Sequence, residues 1–270
     1  MSRNFELLQQ LGKGGDLFKS QKPSSEAAIQ PAPPPAAVAA ALPVQHEVKA
    51  PAEGHRSPST LEAMAQAEEL KLVHHLLGLP AAGHGNVFMF SGVDSNAGCT
   101  SICARSAPLL AEKSGASVCL VDANLGAPSL HALFGIENRM GLAEALRSQS
   151  RLRDLAQRLS QENLWLVPGG TWTVNDNGLL SSAQVSLAIE DLRQAFTHVI
   201  VCASSVSHNS DSLLIGQLVD GVFLVLEAEM TRPDAARKAK EHLEGAGARL
   251  LGVVLNNRKF HIPEPIYRRL

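Results

Sequence analysis

At 270 residues, with a formal net charge of −2, the chain is long enough for one sizeable core plus an accessory segment, and its scattered basic residues give no electrostatic footprint for nucleic acid. Its four cysteines, Cys99, Cys103, Cys119 and Cys202, have neither paired zinc-ligand spacing nor the density of a disulfide scaffold, which reads as small, reduced, buried thiols in a cytosolic protein. Cys99 and Cys103 share a helix face at i, i+4, but two thiols do not make a metal site.

The N-terminus, MSRNFELLQQLGK, lacks a signal-peptide profile, and no run approaches the ~18 apolar residues of a membrane span. Within residues 1–12, Phe5, Leu7, Leu8 and Leu11 form one apolar stripe, which predicts a short amphipathic interaction helix that needs a surface to dock on. Residues 13–58 contain QPAPPPAA and GHRSPS and no sustained apolar period, the composition of a disordered linker with an extended proline-rich part. Order is expected over 59–270. Ser59 and Glu62 fit a capping box, and LEAMAQAEELKLVHHLLGL then runs as a helix with Leu70, Leu72, Val73 and Leu76 on its apolar side.

Beyond it, short apolar runs alternate with helical patterns. The runs NVFMF, SVCLVDA, LWLVPGG, HVIVCAS, GVFLVLEA and LLGVVLNN are apolar at consecutive positions, as in strands covered on both faces. TSICARSAPLLAEKSG, AQVSLAIEDLRQAF and PDAARKAKEHLEGAG have helix length and composition. The expected fold is α/β: a doubly wound, mostly parallel sheet with helices on both faces.

In such a sheet, ligands bind beyond the carboxyl ends of the strands. The first strand leads into FSGVDSNAGCTS, residues 90–101. A phosphate-binding loop needs glycines that free backbone N–H groups, a helix N-terminus, a lysine for the β- and γ-phosphates, and Ser/Thr for magnesium. Gly98, Thr100 and Ser101 fit that outline, whereas Cys99 stands at the lysine.

These features, with EELKLVHHLL, VDANLGAPSLHALFGIENRMGLAEAL, LLSS at 179–182, VDGVFLVLEAEMTR and LGVVLNNRKFHIPEPIYRRL, resemble the bacterial tyrosine kinases of the capsular and exopolysaccharide type, relatives of the deviant-Walker ATPases that include ParA and MinD. The resemblance covers roughly residues 60–270 and implies a P-loop NTPase-like domain using ATP and magnesium. Aligned on Gly98 and Thr100, this chain departs from the family's loop: Cys99 replaces the lysine, Asn96 a glycine, and Asp94 the signature lysine of ParA-type relatives. In the family's second acidic motif Asp122 is retained, while Asn124 and Gly126 take the places of the second aspartate and the arginine. In HVIVCASSV, Cys202 stands at the magnesium-organising aspartate, with Ser204 and Ser205 at two prolines. The family's tyrosine-rich tail is reduced to Tyr267, read as a packing residue or a lone phosphoacceptor.

The resemblance therefore implies a degenerate site made of Gly98, Cys99, Thr100 and Ser101, with Asp122 as the catalytic residue, and Thr100 and Asp122 as the magnesium ligands, if the site is active. Loss of positioned charge at Cys99, Asn124 and Cys202 points to a non-catalytic regulator or scaffold of exopolysaccharide or capsule biosynthesis. Its expected partners are a membrane chain-length-determinant protein or an active kinase paralogue, in a homo- or hetero-oligomer. It is expected in the cytoplasm, peripheral at the inner membrane through that partner. Two alternatives stand beside this reading: an active ATP-dependent tyrosine autokinase, and a ParA/MinD-like positioning ATPase. The histidine pair His74-His75 reads as a solvated helix face and His131 as packing or capping. Arg258, Lys259, Arg268 and Arg269 read equally as a contact surface or a solvated tail.

Overall fold

The computed structural model describes residues 60–79, 85–95, 97–173, 181–207 and 210–258, all of which fall in the unit His55–Leu270. The docking helix over 1–12, the linker over 13–58, Ser59, Asn96 and Tyr267 lie outside the described residues. Among the described residues no helix is long and apolar enough to cross a membrane.

Helix α1 (Thr60–Gly78) precedes strand β1 (Asn86–Gly92), helix α2 (Cys99–Ser114) and strand β2 (Val118–Ala123). Short helices α3 (Leu130–Phe134) and α4 (Leu142–Ser148) and a 3-10 turn (Leu152–Leu155) lead to β3 (Gln157–Arg158) and β4 (Leu164–Val167). Then follow α5 (Ser182–Ala195), β5 (His198–Ala203), α6 (Asp211–Gly216), β6 (Gly221–Glu227), α7 (Pro233–Gly245) and β7 (Leu250–Asn256). Among the described residues the seven strands are ordered β3-β4-β2-β5-β1-β6-β7, and every pairing is parallel except the two-residue β3–β4 ribbon. The chain crosses from β1 to β2 on one side of the sheet and later from β1's other neighbour β6 to β7, so the order reverses at β1, where such folds open a crevice. The doubly wound, mostly parallel sheet is as expected. The β3 ribbon and the short helices α3, α4 and α6 are not legible in the apolar pattern, because segments of two to seven residues carry too little of a period to be distinguished from turns.

Every residue of β1, β2 and β5 is buried, and because strand side chains alternate in direction, each strand feeds two separate cores. One holds Val87, Met89, Val121, Val199, Val201 and Leu224, packed with Ile189 and Leu192 of α5 and Leu243 of α7. The other holds Phe88, Phe90, Leu120, Ile200 and Phe223 under Val73 and Leu76 of α1 and Ile102, Cys103 and Leu110 of α2. Phe90 and Phe223 stack with ring centroids 5.0 Å apart. Each side chain of this size contributes roughly 1.5–3 kcal/mol on full burial, so both faces of the sheet are anchored independently. The helix ends obey local chemistry: Ser181 caps α5 by accepting from Gln184 N, Pro233 opens α7, and Gly115, at φ 64°, closes α2 with its N–H on Ala111 O.

One polar tie crosses this apolar frame. Asp220 Oδ2 accepts from Val87 N at 2.7 Å and from Arg193 Nη1 at 2.7 Å, while the same nitrogen reaches Gly85 O at 2.6 Å. It joins α5 to the start of β1 and the turn before β6, with both charged side chains about 15% exposed. Asp220→Ala would leave Arg193 with Gly85 O and the more distant Glu190 carboxylate, 3.6 Å away, and Val87 N without this acceptor, so it is expected to lower stability by about 2–4 kcal/mol, just under the cost of breaking a fully buried pair. Urea unfolding should show this as a lower midpoint at unchanged slope.

Candidate functional site

The turn after β1 is held by its neighbours' backbones. Val93 N donates to Val225 O, Val206 N to Gly92 O, and Ala97 N to Asp94 O. Gly98 then takes φ 74° as the residue before α2, a left-handed conformation that costs glycine little. The space is as restrictive as the dihedral: an added Cβ would overlap Nδ2 of Asn256, the amide that donates to Ala97 O at 3.1 Å. Asn256, at the end of β7, thus fixes the loop from two strands away, a role with no signature in the sequence.

Cys99 opens α2 and is half-buried. Its sulfur lies 3.8 Å from that of Cys202, at the end of β5, and Cys202 Sγ lies 3.9 Å from Thr100 Oγ1. Cys103, one turn further along α2, completes a group in which all three sulfurs are within 4.8 Å of one another. Cys202 is paired in register with Phe90 of β1 and Asp122 of β2 and points to the α2 side, with Cys103. Cys119 has the opposite parity on β2 and belongs to the other core.

The cluster shares protons unevenly. Burial, and then the two facing sulfurs, push Cys103 well above the ordinary thiol range. Cys99 is drawn down by Cys103 but carried well up by Cys202 and by burial. Cys202, which the thiols of Cys103 and Cys99 face, is pulled well down despite its burial.

Asp122 is 1% exposed, and its carboxylate is committed to the chain around it. Oδ1 accepts from Asn124 N at 3.2 Å, and Oδ2 from Ser129 N at 2.8 Å and Leu130 N at 2.9 Å. It thereby shapes the loop between β2 and α3. Thr100 Oγ1 lies 3.3 Å from Ser129 Oγ, so that loop also touches the first turn of α2. Asn124 turns its side chain to Ala127 O at 3.0 Å.

Of the residues singled out in the sequence, Gly98, Cys99, Thr100, Asp122 and Cys202 converge at the ends of β1, β2 and β5, and Ser101 is an exposed residue of the first turn of α2. Cys103, Ser129 and Asn256 join them unforeseen. Cys103 had a signal, its i, i+4 spacing from Cys99; what was missing was the third thiol, which only the β5 register supplies. His74 and His75 are exposed, with His75 set edge-on to Phe223.

No family model matches the chain. Curated relatives do. The chain is 30% identical over 145 residues to the tyrosine-protein kinase YwqD of Bacillus subtilis, covering 54% of this chain and 61% of that protein. It is 27% identical over 145 residues to the tyrosine-protein kinase CpsD of Streptococcus agalactiae, covering 53% and 62%. The chain thus spans less than two thirds of the length of these relatives. Among solved structures, the kinase domain of the Escherichia coli tyrosine kinase ETK superposes with a TM-score of 0.64 at 22% identity, over 75% of this chain and 80% of that one. The VpsO kinase domain gives 0.61 at 26% identity over 73% and 99%. The cell division ATPase MinD of Pyrococcus furiosus gives 0.56 at 19% identity over 69% and 80%. The resemblance read from the motifs holds: the sequence relatives are bacterial tyrosine-protein kinases, and the fold is shared with their kinase domains and with MinD-type ATPases.

Burial raises the Asp122 carboxyl to about 6, with the N–H groups of Leu130, Ser129 and Asn124 opposing the rise and Cys202 adding to it. The folded state therefore holds this proton more tightly than the unfolded chain, whose aspartate titrates near 4. The contribution favours folding below about pH 4 and is lost as pH rises to about 6, on the order of 3 kcal/mol in all. Asp122→Asn should flatten that interval of the stability profile, measured by thermal or urea unfolding at half-unit pH steps; a slope left unchanged would place the titration elsewhere.

Proposed function

We propose that this chain is a non-catalytic relative of the polysaccharide tyrosine kinases, acting as a regulator or scaffold in exopolysaccharide or capsule assembly. The observation that carries the reading is the contact between Cys99 and Cys202, whose sulfurs lie 3.8 Å apart at the two positions that, by alignment, belong to the triphosphate lysine and the magnesium-organising aspartate. Phosphoryl transfer runs on positioned positive charge and a held metal ion. A pair of thiols supplies no fixed cation, and loss of one clamp of this kind costs about 10³–10⁵ in rate. Asp122, which the family would use beside magnesium, is occupied by three backbone donors instead.

In this role the chain docks on a membrane chain-length-determinant protein or on an active kinase paralogue, and its output is assembly rather than phosphate transfer. The outline of the anion site persists in Gly98, Thr100 and the N-terminus of α2, a geometry that favours an anion weakly without a lysine.

Calorimetric titration of the full chain with ATP and magnesium is expected to show no micromolar binding, and an autophosphorylation assay no label. Micromolar affinity together with phosphate on Tyr267 would overturn the proposal and favour the active autokinase. The double substitution Cys99→Lys, Cys202→Asp is expected to bring measurable Mg-ATP binding back, because the loop and its supports are retained.

A further inference from the structure

We infer that Cys99, Cys103 and Cys202 form a binding site for a thiophilic d10 cation, zinc(II) or copper(I). Among the described residues this is the one group of three or more His, Cys, Asp or Glu side chains whose ligand atoms converge. The spacing suits a metal. At a metal–sulfur distance of about 2.3 Å, two sulfurs on a tetrahedral ion stand about 3.8 Å apart, and on a trigonal ion about 4.0 Å apart. Cys99 and Cys202 already stand at 3.8 Å, and no pair in the group exceeds 4.8 Å, so closure around an ion needs movements of about an ångström or less.

The donor set selects the ion. All three donors are sulfur, the preference of copper(I) and zinc over magnesium, calcium or manganese. Asp122, the nearest carboxylate in register, already accepts three backbone hydrogen bonds and does not turn the site toward hard cations. Three thiolates around zinc(II) leave one negative charge, set at the N-terminal end of the 16-residue helix α2, where the helix dipole favours it. Cys103 and Cys202 are closed off within the core, while half-buried Cys99 sits at the loop and provides the way in. Thr100 Oγ1, 3.9 Å from Cys202 Sγ, borders the position where a fourth ligand of zinc, this hydroxyl or water, would stand.

Binding is a simple exchange: each thiol that coordinates releases its proton to solvent, up to three per ion, with no change of oxidation state. The inference rests on the sulfur geometry and not on the scaffold reading. A chain that binds the ion and also binds ATP and places phosphate on Tyr267 would uphold the first and sink the second.

The test uses the full chain, reduced and freed of metal by chelation under anaerobic conditions. Zinc(II) and copper(I) are titrated separately against chromophoric chelators, and cobalt(II) is used as a spectroscopic probe for thiolate ligation. One equivalent of zinc or copper should bind with sub-micromolar affinity, and cobalt should give a thiolate-to-metal charge-transfer band. Cys99→Ser and Cys202→Ser should each weaken binding by more than about a hundredfold, beyond the 10–100-fold of an outer-shell loss, and take roughly a third of the band. Cys119→Ala, on the opposite face of the sheet, should change neither. Circular dichroism checks that each variant is folded, and half-buried Cys99→Ser decides the matter if Cys202→Ser is not. Failure of the native chain to bind either ion below the micromolar range, or equal losses in Cys119→Ala and the cluster variants, would overturn the inference.

Discussion

The burial of β1, β5 and β2 on both faces is the constraint from which the remainder follows. With every residue of these strands covered, no side chain can be moved to solvent by a slip of register, and a slip by one residue would exchange the contents of the two cores. Phe88 and Phe90 would then face α5 and α7, and Val87 and Met89 would face α1 and α2. On β1 the two phenylalanines are matched to one face and Val87 and Met89 to the other, so the packing itself enforces the register.

That register builds the cleft. Asp122 and Cys202 are partners across β2 and β5 and lie at the carboxyl ends of their strands. Phe90 holds the corresponding place on β1, and the chain leaves β1 two residues later to enter the turn before α2. A carboxylate, a thiol and a helix N-terminus are thus brought to one point by the pitch and pairing of the sheet. Whether the point is used for a nucleotide, a metal ion or neither is then a matter of the few side chains placed there.

In this molecule those side chains are a carboxylate and two thiols. Gly98 retains its left-handed turn under the Asn256 amide, and Asp122 retains its hold on the start of α3. Polarizable sulfur stands at the start of α2, in Cys99, and at the end of β5, in Cys202. A buried carboxylate answering backbone amides is a structural device, because removing it would leave three N–H groups to find other partners.

The sequence by itself determined the α/β class, six of the seven strands, the long helices, and the position of the loop, because consecutive apolar runs and helical periods are local properties that burial on two faces imposes on any sequence. It also marked Cys99 and Cys202 as departures, one at a time, from a resembling family's motifs. It did not reveal β3, the short helices, the Asp220–Arg193 tie or the clamp of Asn256 on the loop, since each depends on residues far apart in the chain or on segments too short to carry a period. Only the tertiary structure decided that Cys103 and Cys202 share a face, that Cys119 does not, and that three isolated thiols are one group. The physical reason is parity: strand side chains alternate every residue, so which face a cysteine occupies is settled by pairing with neighbouring strands and the helices packed on them, not by its spacing along the chain.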